Sequence, residues 1–260
     1  MQKLRSNFSN RKDLLDYVAS ISPWLNDFTA SEILGGKIQA EEKLNKIDPI
    51  SYCKNRNYLD GSVTKLSPYI RHGILSLNEV RNFALEKSDP KQIEKFIQEL
   101  AWRDFWQRIY FSDPDKIWHD IEEYKTGYQK EDYADNLPQD ILEAKTVNAC
   151  INQFINQLTK TGYLHNHARM YLASYSVHWR KTKWQAGAKW FLHHLLDGDP
   201  ASNNLSWQWI ASTFSSKPYI FNLENVAKYC ANSAIDFSKE NNPELNFSYE
   251  ELEQKLFKKL

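Results

Sequence analysis

Residues 184–209 read WQAGAKWFLHHLLDGDPASNNLSWQW. As far as Leu196, apolar residues recur every three or four positions, the period of a helix with one buried face. Asp197 and Asp199 then flank Gly198, and Asn203 and Trp207 follow four residues apart, on a shared helical face. An Asp-x-Asp pair invites a cation, but the remaining ligand positions of a calcium loop are missing. Tryptophans and polar residues at this density describe the lining of a pocket. The same spacing runs through 11–20, 31–46, 76–87, 90–111, 139–160, 163–178 and 222–230. There is no run of alternating β-branched residues, no βαβ rhythm and no G-x-G-x-x-G, which excludes a Rossmann domain. The expectation is an all-α fold and a single domain over residues 1–260. Residues 125–139 read as a surface loop, and 241–260 as a charged amphipathic helix packed peripherally.

Bulk composition narrows the function. The 260 residues carry 33 Lys+Arg and 33 Asp+Glu, so any nucleic-acid site must be a local patch rather than a property of the whole chain. Cys53, Cys150 and Cys230 are far apart and form no C-x-x-C, which argues for free thiols over a disulfide framework, a zinc ribbon or an iron–sulfur cluster. The N-terminus lacks the apolar region of a signal peptide, and no apolar run approaches the ~18 residues of a membrane helix. A soluble, cytoplasmic protein without a membrane partner is expected. Nine Trp, fourteen Tyr and thirteen Phe either build a large aromatic core or stack on a planar ligand and pass electrons.

Three further clusters carry polar chemistry. In 64–71, Ser67 suits a helix N-cap and Pro68 the first helical position, so the segment is either an ordinary capped helix or a phosphate site made of free N–H groups and hydroxyls. In 99–106, Glu99, Trp102, Arg103 and Trp106 share one helical face. Two charges beside two indoles suit either a buried ion pair framed by aromatics or a lined cavity. In 162–170, Asn166, Arg169 and Met170 form a stripe with Ala173. His165 and His167 point in different directions and cannot share a metal, and the adjacent His193 and His194 fail for the same reason. No metal site is expected.

The pieces TKLSPYIRHGILS, ELAWRDFW, TGYLHNHARM and WFLHHLLDGDPASNNLSWQW occur in this order and together resemble the FAD-binding domain of the photolyase/cryptochrome family, over about residues 31–229. The resemblance implies the helical half of that family without its N-terminal α/β domain, holding a U-shaped FAD. Tyr52, Thr64, Leu66 and Ser67 would hold the phosphate end, and Arg103 would add charge against it. Asn166, Arg169, Asp197 and Asp199 would surround the isoalloxazine and ribose, with Arg169–Asp197 as a buried salt bridge. Asn203 would face flavin N5, where a neutral amide suits a reduced, anionic ring better than a carboxylate does. Glu99, Trp102, Met170 and Trp209 match residues that contact a cyclobutane pyrimidine dimer.

Trp207 and Trp184 match the first two members of an electron-transfer chain. The third falls in the divergent stretch 117–147, where Tyr128 or Tyr133 is the candidate. His167 stands where an Arg near DNA phosphate is usual, and Val63 replaces a hydroxyl residue. The implied activity is blue-light-driven repair of dimers in damaged DNA, with Arg56, Lys65, Lys181, Lys183 and Lys217 as candidate basic rim. The alternatives are a cryptochrome-like light or redox sensor, open to an unknown protein partner, and a helical interaction module without flavin.

Overall fold

The computed structural model describes residues 3–24 and 30–258. Where one domain is expected, the chain divides into two compact units, up to Leu34 and from Gly35 onward. In the first, helix α1 (Arg11–Ile21) starts where the Asn10 side chain accepts from the Asp13 N–H at 3.0 Å. Arg5 grips the Asp13 carboxylate through both oxygens, at 2.8 and 2.6 Å. That fork, with hydrogen bonds from Ser9, holds the Asp13 carboxyl down at about 2. Helix α1 buries none of its residues, so local polar contacts shape it.

The second unit is helical, and among its described residues the only strand-like pairing is an isolated bridge between Ala134 and Thr182. Its first helices are α2 (Lys37–Asn45), α3 (Pro49–Asn55), α4 (Ser67–Arg71) and α5 (Leu77–Lys87). They enclose a small core of Ala40, Leu66, Tyr69, Val80, Ala84 and Phe96. The helix expected over 31–46 shortens to α2 because Gly36 sits at φ +103°, a conformation open to glycine. Helix α5 starts with a full capping box between Ser76 and Glu79. The long α6 (Glu94–Ser112) packs against α3 and α11.

The main core lies among α8 (Ala149–Thr161), α9 (Asn166–Ser174), α10 (Trp184–His194) and α11 (Pro200–Ala211), around Phe154, Tyr171, Tyr175, Trp184 and Phe191. Three expectations change here. The helix over 139–160 splits into α7 (Gln139–Leu142) and α8, because Asn152 turns back to bond Thr146 and Ala144 adopts φ +54°. The helix over 163–178 widens into a π-turn at Tyr175–Trp179, after which Thr182 bonds back to Ser176. Within 125–139, Thr126 and Tyr133 are buried and hydrogen-bonded to each other at 2.8 Å.

The C-terminal stretch is also less peripheral than its charge suggests. Among the described residues beyond α12 (Leu223–Cys230), only Tyr249–Leu256 is helical (α13), and the last two residues of the helix expected over 241–260 lie outside the described residues. Leu245 enters the main core, and the buried Asn242 amide accepts from Cys150 N–H and donates to two carbonyls. Cys150 and Cys230 are buried free thiols and Cys53 is half-buried. No helix among the described residues is long and apolar enough to cross a membrane.

Candidate functional site

Helices α6, α9, α10 and α11 and the segment 63–67 enclose a cavity of about 790 Å³. Its inner wall begins where α10 stops. Asp199 N-caps α11, accepting from Ser202 N–H at 2.7 Å, with Pro200 in the first turn. Its oxygens also take Gln107 Nε2 at 2.8 Å and Arg103 Nη2 at 3.3 Å, which ties α6 to α11. Asp197 accepts from Arg169 Nη2 at 2.8 Å, and Arg169 Nε donates to the Leu164 carbonyl at 2.8 Å. Burial pushes the Asp197 carboxyl up, but the Arg169 charge and hydrogen bond outweigh it and hold the group ionised, below the usual range.

The benzo edge of Trp207 packs against α10 where Gly187 has no Cβ: one built there would overlap the indole. The Asn203 amide donates to the Ala188 carbonyl at 3.0 Å and to Asn204 Oδ1 at 2.9 Å.

Tyr52, Thr64, Lys65, Leu66, Ser67 and Tyr163 also line the cavity, with the Tyr163 ring 5.5 Å from the Arg169 guanidinium. Lys65 holds φ +53°, which costs energy for a side-chain-bearing residue and is a mark of functional backbone. The helix-start expectation needs correcting. Ser67 is already helical, Leu66 precedes it, and no side chain caps the start. The outer rim is aromatic. Trp102 stacks on Trp106 at 5.1 Å and 28°, and Trp209 packs on Tyr219 at 5.9 Å. Glu99 sits between Lys95 at 2.9 Å and Arg56 at 3.4 Å.

The cavity gathers Tyr52, Thr64, Leu66, Ser67, Glu99, Trp102, Arg103, Asn166, Arg169, Met170, Asp197, Asp199, Asn203, Trp207 and Trp209. Trp184 is not on its surface. It is fully buried, with Nε1 donating to Asp120 Oδ1 at 2.6 Å. Tyr133 stacks on Tyr124 at 4.4 Å, and the half-buried Tyr128 meets Tyr133 edge-on at 6.3 Å. Asp120 and Tyr124 escape sequence reasoning because their segment is irregular and shows no periodicity.

Other residues depart from expectation. His167, which stands in place of the usual Arg, is buried, its Nδ1 bonds the Asn57 carbonyl at 2.8 Å, and it lines the cavity. Lys181 and Lys183 lie off the cavity, because the Ala134–Thr182 pairing turns them toward the segment before α7 and the C-terminus. Lys181 donates to the carbonyls of His178 and Leu256, and Lys183 pairs with Asp135 at 2.5 Å. Lys217 is exposed and does not line the cavity either. Tyr163, Tyr219, Asn225 and Tyr229 line it without having been singled out.

Residues 96–254 match the family model described as the FAD binding domain of DNA photolyase. The chain belongs to that family. Curated relatives agree: the deoxyribodipyrimidine photo-lyase of Streptomyces griseus is 34% identical over 163 residues, covering 62% of this chain and 35% of that one. The photo-lyase of Buchnera aphidicola is 31% identical over 228 residues, 80% of this chain and 46% of that one. The chain thus spans between a third and a half of the length of these relatives. Its fold is that of the archaeal photolyase from Sulfolobus tokodaii (TM-score 0.70, 22% identity, 91% of this chain and 58% of that one). It is also that of a cryptochrome from Synechocystis (TM-score 0.70, 20% identity, 89% and 54%).

FAD is the cofactor of this photolyase domain family, and the residues here fit it. Asp197 Oδ1, Ser202 Oγ and Trp207 Nε1 are buried on cavity residues without a protein partner. Buried polar groups left so cost energy that a ligand with both donors and acceptors recovers. Among the described residues Lys65 has no carboxylate partner, and it lies beside Thr64 and Ser67, which suits a pyrophosphate.

Proposed function

We propose that the cavity holds FAD against its inner wall and a flipped pyrimidine dimer against its rim, for light-driven repair of damaged DNA. One observation carries this reading: a single cavity runs from the sealed Asp197–Arg169 pair to the half-exposed indoles of Trp102 and Trp209. A cofactor and a flipped base can lie in one connected space. Reduced and lit, FAD supplies an electron that a dimer can accept.

The chain's own residues prepare that transfer. Arg169 keeps Asp197 charged at the depth of the pocket. Asn203 presents a neutral amide, which does not repel a reduced ring. Trp102 and Trp209 offer flat walls for unstacked bases, and Glu99 offers carboxylate oxygens to pyrimidine donors. Arg56 and Lys65 line the cavity and are the cations this reading assigns to a bound strand.

The test is purified, FAD-loaded, reduced protein under blue light with a thymine-dimer oligonucleotide. Dimers should disappear in light and persist in darkness. Persistence under light, with flavin spectroscopically present, removes the repair reading. A sensor without repair is the second reading, favoured by the pairing of cavity cations inside the protein: Arg56 with Glu99, Arg103 with Asp199 and Arg169 with Asp197. It predicts light-dependent partner binding or oligomerisation with dimers left intact.

A further inference from the structure

His167 has an unusual setting for a residue in the first turn of α9. Its ring lies between two tyrosines, 4.7 Å from Tyr171 and 4.4 Å from Tyr229. Its backbone N–H is satisfied by His165 Nδ1 at 3.1 Å. Nδ1 faces the Asn57 carbonyl at 2.8 Å. A carbonyl only accepts, so Nδ1 carries the proton, and in the neutral ring Nε2 is left with a lone pair. Among the described residues no group bonds Nε2, and unlike Nε2 of His165 it is not sealed from solvent. His167 is 7% exposed and is one of the residues that line the cavity.

The groups around His167 favour the neutral ring. Burial lowers its pKa, the Asn57 hydrogen bond raises it less, and the Arg56 charge lowers it further. On its own helix His165 and Arg169 add positive or dipolar groups, and from α12 Lys228 lies 5.1 Å from the Tyr229 ring. Tyr171 and Tyr229 face it with neutral phenols. Glu99, the partner of that Arg56, is shared with Lys95. An imidazole so placed is held toward its neutral form.

The region of the cavity around it is suited to a base. Asn166 and Met170 stand on the same turn, bonded at 3.7 Å through the Met170 sulfur, and Tyr219 continues the wall to Trp209. We infer that His167 is a recognition residue of the dimer site, its Nε2 lone pair accepting a hydrogen bond from the N3–H imide of a thymine-type base. This rests on the reading of the cavity as a dimer site. Cytosine carries no hydrogen at N3, so the contact favours thymine over cytosine dimers.

The experiment is dark binding of FAD-loaded protein to a short single strand with one thymine dimer, followed by fluorescence anisotropy, with the undamaged strand as reference. His167→Phe keeps the ring in its aromatic slot and removes the acceptor. It should weaken dimer binding about three- to tenfold, the net worth of one hydrogen bond, and leave the undamaged strand unchanged. His167→Gln, which keeps an acceptor, should recover most of the loss. Wild-type preference for the dimer should weaken as pH falls below the ordinary histidine range, where the lone pair is protonated, and should stay flat in His167→Phe.

Equal loss on damaged and undamaged strands, or tighter wild-type binding at low pH, would mean phosphate contact and overturn the inference. So would unchanged dimer affinity in His167→Phe. A wild type that binds both strands alike overturns the dimer-site reading itself, which separates the two failures.

Discussion

The inner wall and the rim of the cavity are built from the same kinds of residue and solve opposite problems. On the α10–α11 side, Asp197, Asp199 and Trp207 are 5%, 6% and 2% exposed, and each carboxylate is tied to an arginine within the protein. At the rim, Trp102 of α6 and Trp209 near the end of α11 remain 46% and 39% exposed, and Glu99 shares two solvent-reached cations. A wall that is sealed except for three unpartnered polar atoms suits a ligand that stays. Exposed indoles suit one that comes and goes, since their desolvation is repeated at every visit. The difference teaches where stability and function part: damage to the inner wall should unfold the protein, and damage to the rim should leave it folded and blind.

The sharpest break is Arg169→Ala. It strands Asp197 as an uncompensated buried charge, a change that typically costs about 3–5 kcal/mol. The urea midpoint should fall accordingly, and FAD should be lost on dilution. The sign with pH follows from the lowered Asp197 pKa. Its stabilisation is complete above the unfolded value of 3.8 and is lost as pH falls through the lower folded value, so only the wild type should show that acid step. A loss under about 1 kcal/mol would mean that the inner wall is not sealed. Next comes Gly187→Ala, whose methyl would overlap the Trp207 ring. Overpacking of this kind costs about 1–3 kcal/mol, and Trp fluorescence should report a displaced indole. A normal midpoint and spectrum would show that α10 and α11 slide apart freely.

A third test reaches behind the inner wall. His178 Nε2 bonds the Ile210 carbonyl of α11 at 3.0 Å, and burial pulls its pKa down to about 3. A histidine depressed in the fold leaves stability intact above 6.5 and removes it as pH falls below that value. At about 1.4 kcal/mol per unit, His178 alone should cost roughly 2 kcal/mol by about pH 5. Denaturation midpoints between pH 7 and 5 should fall less steeply in His178→Gln. An unchanged slope would place the acid sensitivity elsewhere, with His165, lowered to about 4, as the next group to vary.

The inner wall was largely legible in the sequence because helical spacing puts its residues there by arithmetic. Asn203 and Trp207 are one turn apart on α11, and Asp199–Pro200 is a helix start written in residue types. Residues outside regular helices were harder to place. Asp120 and Tyr124 sit in an irregular segment, and no period assigns them to Trp184. Lys181 and Lys183 were candidate rim cations, but a positive φ at Lys181 and the pairing of Thr182 with Ala134 turn the segment away. His167 shows the same limit within a helix. Its register was readable, but the Asn57 carbonyl that fixes its ring is 110 residues away.

The smallest effect on stability should be the most informative about the rim. Trp102→Ala removes a side chain that is nearly half exposed and whose main contacts are Trp106 and Phe105. Exposed positions of this kind usually shift stability by less than about 1 kcal/mol, so the urea midpoint and FAD content should stay near wild type. Stacking of a base on an aromatic ring is worth about 1–3 kcal/mol, so affinity for a dimer-bearing strand should fall by about tenfold or more. Joining the two measurements separates the walls. If Trp102→Ala unfolds the protein or releases FAD, the rim belongs to the sealed cofactor pocket and no separate substrate surface exists. If it leaves fold, flavin and dimer binding all intact, the exposed indole serves neither ligand, and recognition must rest on Glu99, His167 and Trp209.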